Sequence, residues 1–325
     1  MSNEPARRAP RQTYTADEVL RLAEELRTWG RWGPDDELGA ANWTTPAMVS
    51  AAAGLARRGQ IFSLAIPMDR TGPQSGRTAR VNPQHVMFKH GGDMLADGEA
   101  GLRGMRSTDD AVYMPLQAST QWDALCHIFY DGKAYNDRGP ESVTSAGAKH
   151  NSITSIKERA AGRGVLVDLP RLLDVPWLEP GDSIGAEDLE RWTGHHGVTI
   201  GEGDFVLLRT GHLERRRAEG WGDYVAGAAP GLGLSGAEWL VRRRIAAVAS
   251  DTWGLEVLPS ECPDIGHPVH VVLMVNAGVR IGEIWDLEAL SEDCAHDGVH
   301  EFFLVAQPLP ITGAVGSPIN PIAIK

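Results

Sequence analysis

The sequence predicts an α/β protein that folds as one domain. Segments typical of buried strands alternate with segments typical of amphipathic helices along most of the chain. No repeat of fixed period occurs, and no linker separates two apolar cores. The chain has 325 residues, which leaves ample room for a single buried core. These observations together favour one sheet that is flanked by helices.

The composition restricts the kind of partner. Hydrophobic residues make up 42% of the chain and charged residues 23%, values that are ordinary for a soluble globular protein. The formal net charge of -12 argues against a nucleic acid or an anionic membrane surface. No apolar run reaches the roughly 18 residues of a membrane span. The three cysteines lack a Cys-x-x-Cys spacing and fit reduced thiols. We therefore expect a cytoplasmic protein that acts on a small-molecule substrate.

The N-terminal part divides into two predicted regions. Residues 1–13 are rich in Arg, Pro and Ala and predict a disordered arm. Residues 14–60 predict a helical extension. Its first helix begins with a capping box at Thr15 and should end near Gly30. Its second helix has Pro46 at the first helical position.

Residues 61–325 contain the alternating segments. We predict strands over residues 61–66, 86–88, 111–116, 164–168, 204–211, 245–252 and 302–307. Helices are expected over residues 153–161, 184–193 and 235–244. The long, glycine-rich segment 69–110 has little regular pattern, which is typical of a lid or an oligomer contact. We expect a homodimer or a higher homo-oligomer.

The chemistry is expected to centre on a polar stretch that begins at Gln117. If the chain is extended there, the side chains of Gln117, Ser119, Gln121 and Asp123 point to one side. Asp123 and His127 are four residues apart and meet on one face if the chain then turns helical. A carboxylate beside an imidazole suits acid-base catalysis or metal ligation. The alternative is that Asp123 caps a turn and His127 is an ordinary core histidine.

This stretch resembles the fingerprint His-x-Gly-Thr-His-x-Asp-x-x-x-His of the cyclase family, which includes bacterial kynurenine formamidase and isatin hydrolase. Thr120, Asp123 and His127 match its positions, and Gln117 and Gln121 stand at its first two histidines. In that family the two histidines and the aspartate bind metal, and the last histidine shuttles a proton. The resemblance implies a swivelling β/β/α fold, whose mixed sheet curls partly toward a barrel. It also makes residues 61–325 a cyclase-like catalytic domain.

Two later residues extend the resemblance. His270 matches a histidine that precedes a helix, and Glu283 matches a glutamate that helps to complete the metal site. His267 is a rival for the histidine role. The implied metal ligands are therefore Asp123, Gln117, Gln121, His270 and Glu283.

Catalytic and substrate-binding roles are assigned on the same basis. We expect His127, Asp123 and Thr120 to be catalytic. Trp122 is a tryptophan in a polar setting, and Thr210 lies where a predicted strand ends at a small turn. We expect these two residues and His267 to contact the substrate.

Three functions remain open at this point. Amide oxygens suit manganese or magnesium better than zinc, so the first is a hydrolase of an amide, lactam or lactone that uses manganese or magnesium. The second is a metal-free hydrolase, cyclase or dehydratase in which Asp123 orients His127, with Gln117, Gln121 and Thr120 as hydrogen-bond donors. The third is a binding protein that has lost catalysis.

Overall fold

A computed structural model describes residues 12–96 and 104–325 of the chain. Within these residues a large mixed sheet carries helices on both faces, which confirms the predicted single-domain α/β class and the curled sheet. The predicted disordered arm falls almost wholly outside the described residues. No helix of the described chain is long and apolar enough to cross a membrane.

The helices and strands of the described residues are as follows. The α-helices of the described residues are α1 (Ala16–Glu25), α2 (Pro46–Ala53), α3 (Gly91–Ala96), α4 (Leu169–Leu173), α5 (Ala186–His196), α6 (His212–Glu219), α7 (Leu234–Arg242), α8 (Pro268–His270) and α9 (Glu288–Asp297). A π-helical segment, Val271–Asn276, directly continues α8. The strands are β1 (Ile61–Ser63), β2 (Gln84–Lys89), β3 (Asp109–Tyr113), β4 (Gln121–Asp123), β5 (Val143–Thr144), β6 (Gly147–Ala148), β7 (Ala161–Asp168), β8 (Ser183–Ile184), β9 (Phe205–Arg209), β10 (Gly231–Leu232), β11 (Ala247–Ser250), β12 (Arg280–Glu283), β13 (Glu301–Val305), β14 (Gly316–Pro318) and β15 (Ile322–Ile324).

The main sheet has nine strands in the order β1-β15-β13-β7-β9-β11-β12-β4-β14. The four central strands β7, β9, β11 and β12 are parallel, and the strands on either side of them are antiparallel. Parallel strands need helical crossovers, which explains the alternation of apolar strands and amphipathic helices in the sequence. The site described below lies where the parallel centre meets the antiparallel strand β4.

Alternate residues of each central strand enter two different apolar cores. Val165 and Val167 of β7 belong to a first core, and Leu166 between them belongs to a second core on the other face of the sheet. Helices α1, α5 and α7 contribute to the first core, and α9 contributes to the second. Because both faces are covered, the middle parts of β7, β9 and β11 are continuously apolar, and the charged residues of the central strands lie mainly near their ends.

The N-terminal helices pack directly on this body. Helix α1 has the predicted capping box, in which Thr15 and Glu18 bond to each other's backbone N–H groups. It ends at Glu25, earlier than the predicted end near Gly30. Its apolar face joins the first core through Val19 and Ala23. The predicted extension over residues 14–60 therefore shares its packing with the rest of the chain.

Two local predictions differ from the structure. Residues 153–161 do not form an α-helix: a 3-10 turn spans Ile153–Ile156, and β7 already begins at Ala161 because this residue pairs with Val305 of β13. The strand predicted over residues 111–116 lies earlier in the chain, at Asp109–Tyr113, and it pairs with β2 outside the main sheet.

Candidate active site

Strands β4 and β12 place the first polar groups of the site. They are antiparallel neighbours, and Glu283 lies opposite Gln121 in their register. Residues 121 and 123 share one face of β4, and Trp122 points to the other face, into the second core. Gln121 Nε2 donates a 2.6 Å hydrogen bond to Glu283 Oε2. The predicted strand is shorter than expected, since residues 116–120 form turns and bends.

His270 completes a compact group with two carboxylates. Its Nε2 lies 3.5 Å from Glu283 Oε1, and one ligand atom each of Asp123, His270 and Glu283 lies within 4.8 Å of the others. All three side chains are buried. Two carboxylates and an imidazole at this spacing are a donor set that divalent cations accept.

Glu256 fixes the orientation of His270. The Nδ1 atom of His270 donates to Glu256 Oε1 at 2.5 Å, and the backbone N–H of Val269 donates to Glu256 Oε2 at 3.2 Å. With Nδ1 engaged, Nε2 faces Glu283 and Asp123, and it becomes a metal-binding nitrogen when a cation displaces its proton. His267 Nδ1 also lies 3.3 Å from Glu256 Oε1. The structure therefore brings His270 to the carboxylate group and leaves His267 on the outer side of Glu256.

His127 lies at the open side of this group. The chain from Asp123 to His127 forms a turn rather than the helix considered above, with the His127 N–H bonded to Ala124 O. His127 Nε2 is 3.9 Å from Asp123 Oδ1, and His127 Nδ1 is 3.4 Å from the amide nitrogen of Gln117. Gln117 thus reaches Asp123 only through the imidazole. The His127 side chain is 22% exposed, whereas that of Asp123 is 2% exposed, so His127 can be reached from outside.

Burial separates the protonation states of the two histidines. Burial lowers the pKa of His127 to about 4, so this imidazole is neutral at pH 7. Burial also acts to lower the pKa of His270, but hydrogen bonds to Glu256 and Glu283 outweigh it and raise that pKa to about 10. Burial, followed by the charge of Glu283, raises the pKa of Asp123 well above its usual value. In the absence of a cation, protons on His270 and Asp123 therefore offset the negative charge of the buried carboxylates.

Unpartnered oxygen atoms test whether a cation fits. Among the described residues, Gln121 Oε1 and Asp123 Oδ1 are buried and accept no hydrogen bond. A buried acceptor without a partner is costly, and a bound cation removes that cost. Gln121 also contacts Glu283, and Asp123 also lies beside His127, so both unpartnered atoms are part of the same site. The donor set of Asp123, His270 and Glu283, with Gln121 beside it, fits a divalent metal ion.

Three predicted residues have other contacts. The Thr120 hydroxyl donates to Ile284 O and accepts from the Ile66 N–H, so it bonds only to backbone groups. The indole of Trp122 donates to Ala306 O and packs edge-on against Trp285 in the second core. That indole is buried and offers a substrate no surface in this conformation.

Thr210 is likewise engaged away from the carboxylate group. Its hydroxyl and its backbone N–H both donate to Asp251 Oδ1, at 2.7 and 2.9 Å. The structure therefore brings together Gln117, Gln121, Asp123, His127, His270 and Glu283, but not Thr120, Trp122 and Thr210.

Sequence reasoning missed two residues near the site. Glu256 lies in the loop after β11 and belongs to no sequence motif. Its position beside the site is evident only from its contact with His270. Arg80 donates to the carbonyl oxygen of Gln117 at 3.2 Å, and its guanidinium lies 5.6 Å from the ring centre of Trp253. A lone arginine in a glycine-rich loop gives no sequence signal for such a position.

Comparisons with known proteins found a family model and solved structures that are similar to this chain. A family model described as Putative cyclase matches residues 31–257. A crystal structure described as a novel cyclase is 42% identical, covers 93% of this chain and 99% of its own, and superposes with a TM-score of 0.84. No curated protein sequence matches the chain.

More distant structures share the fold. Isatin hydrolase A from Labrenzia aggregata is 21% identical, with a TM-score of 0.59 over 85% of this chain and 98% of its own. Isatin hydrolase A from Ralstonia solanacearum is also 21% identical, with a TM-score of 0.60 over 86% of this chain and 98% of its own. At this identity the likeness shows the fold alone.

Proposed function

This chain belongs to the cyclase family, and we propose that it is a metal-dependent hydrolase that cleaves an amide, lactam or lactone bond of a small molecule. One observation carries the proposal. Asp123, His270 and Glu283 converge beside buried, unpartnered oxygen atoms, and the neutral imidazole of His127 stands at the open side. Two structures with this fold are named isatin hydrolases, and isatin is a lactam, so a lactam is included among the candidate substrates.

Asp123, His270 and Glu283 would hold the ion, with the Gln121 amide oxygen as a neutral fourth donor. A divalent ion bound there supplies Lewis-acid polarisation of a carbonyl and activation of water. Oxygen donors outnumber the single imidazole nitrogen, so we expect manganese or magnesium to be preferred over zinc. Gln117 reaches His127 instead of this group, and its role is to hold the imidazole.

His127 is the proton acceptor. When the Gln117 amide donates to Nδ1, the ring hydrogen resides on Nε2 and faces Asp123 Oδ1. The hydrogen bond to Nδ1 is long at 3.4 Å, so a water molecule can replace it. As that water adds its oxygen to the substrate carbonyl carbon, its proton passes to Nδ1. The imidazolium that forms is stabilised by the neighbouring charge of Glu283, which acts to raise the pKa of His127. The imidazolium then gives this proton to the leaving nitrogen or oxygen as the carbonyl C–N or C–O bond breaks.

The metal-free dyad has less support from the geometry. A dyad needs a hydrogen bond between the carboxylate and the imidazole, and the Asp123–His127 distance of 3.9 Å exceeds that range. Burial also favours the protonated, uncharged form of Asp123 when no cation is bound. We further propose a cytoplasmic location, since Cys126, Cys262 and Cys294 are all free and buried.

Metal analysis followed by turnover assays tests the proposal. The protein is purified without chelator, analysed for metals, and assayed with N-formylaniline, isatin and dihydrocoumarin as amide, lactam and lactone probes. We expect manganese- or magnesium-loaded protein to hydrolyse at least one probe, and EDTA to abolish that turnover. Turnover that survives complete metal removal would favour the Asp123–His127 dyad. Metal-loaded protein that binds but never hydrolyses the probes would be a binding protein.

A further inference from the structure

One cation beside the site has no counter-ion among the described residues. The Arg80 side chain is half-buried, and the hydrogen bond it makes within the described chain runs from Nη1 to Gln117 O at 3.2 Å. Two other arginines that are shielded from solvent, Arg163 and Arg209, each pair with two carboxylates. The edge of Arg80 formed by Nε and Nη2 has no acceptor in the described chain. Such an edge can hold a carboxylate through two parallel hydrogen bonds.

The loop that carries Arg80 is fixed on the site. It belongs to the segment that was expected to be a lid or an oligomer contact. Gln74 Nε2 donates to the carbonyl oxygen of the residue after Gln117 at 2.9 Å, and Asn82 bonds to both the N–H and the carbonyl group of Gln74. Gln117, which accepts from Arg80, also contacts Nδ1 of His127. The guanidinium therefore lies next to the residue that holds the imidazole of the site.

Trp253 provides a flat apolar surface beside this cation. The guanidinium carbon of Arg80 lies 5.6 Å from the centre of its ring. The Ile284 N–H donates to Thr252 O at 3.0 Å, so Trp253 follows β11 at the sheet edge where β12 ends with Glu283. The Trp253 residue is half-buried, and its indole N–H is buried without an acceptor in the described chain. An aromatic ring can lie along this indole while an acidic group contacts the guanidinium.

We propose that Arg80 binds a carboxylate of the substrate, so that the substrate is an aromatic amide, lactam or lactone that carries a separate carboxylate. This inference rests on the proposed hydrolase function, which puts the reacting carbonyl beside Asp123, His270 and Glu283. The net charge of -12 repels anions, so an anionic substrate needs a local cation, and Arg80 supplies it. A neutral substrate would leave this half-buried charge without a partner. Arg80 thus determines specificity and does not act on the bond that breaks.

Paired substrates with and without a carboxylate test the inference. The 3- and 4-formamidobenzoates are compared with N-formylaniline, which has the same amide bond and no carboxylate. Wild-type protein should show the higher kcat/KM for at least one formamidobenzoate. In Arg80→Gln that preference should fall about 10- to 100-fold, the usual contribution of a hydrogen bond to a charged group. Arg80→Lys keeps the charge without the two-pronged edge and should keep part of the preference. Arg77→Gln removes an exposed arginine of the same loop and should keep all of it.

Binding of the amine products separates this inference from the proposed function. Titration calorimetry gives the Kd of 3- and 4-aminobenzoate and of aniline without any turnover, and Arg80→Gln should reduce the preference for the aminobenzoates by the same factor. If no probe is hydrolysed but this loss is seen, the hydrolase proposal fails and the carboxylate site stands. Arg80→Lys gives the decision if circular dichroism shows that the glutamine variant does not fold. Wild-type protein that prefers the carboxylate compounds in neither assay would overturn the inference, and so would a folded Arg80 variant that keeps the full preference.

Discussion

The substitution Glu256→Gln tests how the site orients its imidazole. Glu256 offers two oxygen atoms to two donors, His270 Nδ1 at 2.5 Å and the Val269 N–H at 3.2 Å. A glutamine offers one oxygen and one N–H group, so one of these donors must face another donor. A buried donor without a partner costs about 1–3 kcal/mol. If the oxygen stays with Val269, the ring hydrogen of His270 moves to Nε2 and blocks the lone pair that would bind the ion.

The expected result is a 10- to 100-fold weaker affinity for manganese, or about 1.4–2.7 kcal/mol. The measurement is a competition titration of metal-free protein against a fluorescent chelator. The matched control is Glu261→Gln, because Glu261 is also a buried carboxylate that accepts from a backbone N–H, that of Leu234, and from Ser183. The control should lose thermal stability but keep its manganese affinity. Glu256→Gln protein that folds and binds manganese as tightly as wild type would refute the reasoning.

Two further predictions concern the site, and a third concerns the buried histidine His212 at the start of α6. His127→Ala should lower turnover on the order of 10²–10⁴-fold with little change in manganese affinity, and an equal loss of metal would make His127 a ligand instead. Gln121→His should raise the preference for zinc over manganese in competition titrations more than Gln117→His does. The reason is that Gln121 contacts Glu283 directly, whereas Gln117 contacts His127. If the double variant Gln117→His/Gln121→His gains no zinc affinity, the two side chains do not converge on the ion. Burial lowers the pKa of His212 to about 4, so the unfolded chain takes up a proton near pH 6.5 while the folded chain does not, and stability falls as pH falls from 6.5 to 4. His212→Phe should reduce that loss by roughly 2 kcal/mol at pH 5 in urea unfolding, and an unchanged pH profile would contradict the assignment.

Sequence reasoning succeeded where the signal is local. The capping box at Thr15 depends on residues three apart, and the apolar strand at residues 164–168 depends on its own composition. The family fingerprint also identified Asp123 and His127, which the structure places side by side. Each of these features can be read within a few residues of the chain.

The remaining features depend on contacts between distant segments. Glu256 lies beside His270 only because the loop after β11 returns to the start of α8. Alternation suggested that the extended stretch begins at Gln117, but turns precede β4 and direct Gln117 to His127 instead. Trp122 looked accessible because its neighbours in sequence are polar. In a strand those neighbours point to the opposite face, so they say nothing about the surroundings of the indole.

The burial of Trp122 has a consequence for how this site can be altered. Its indole bonds to Ala306 O, packs on Trp285 and anchors β4 from the face opposite Gln121 and Asp123. The backbone position of the site is therefore maintained by residues that take no part in its chemistry. A substitution at position 121 changes the donor atoms that face the site without removing the contacts that hold β4 in place. The architecture that presents the donors is thus separate from the donors themselves, and one architecture can serve ions of different preference.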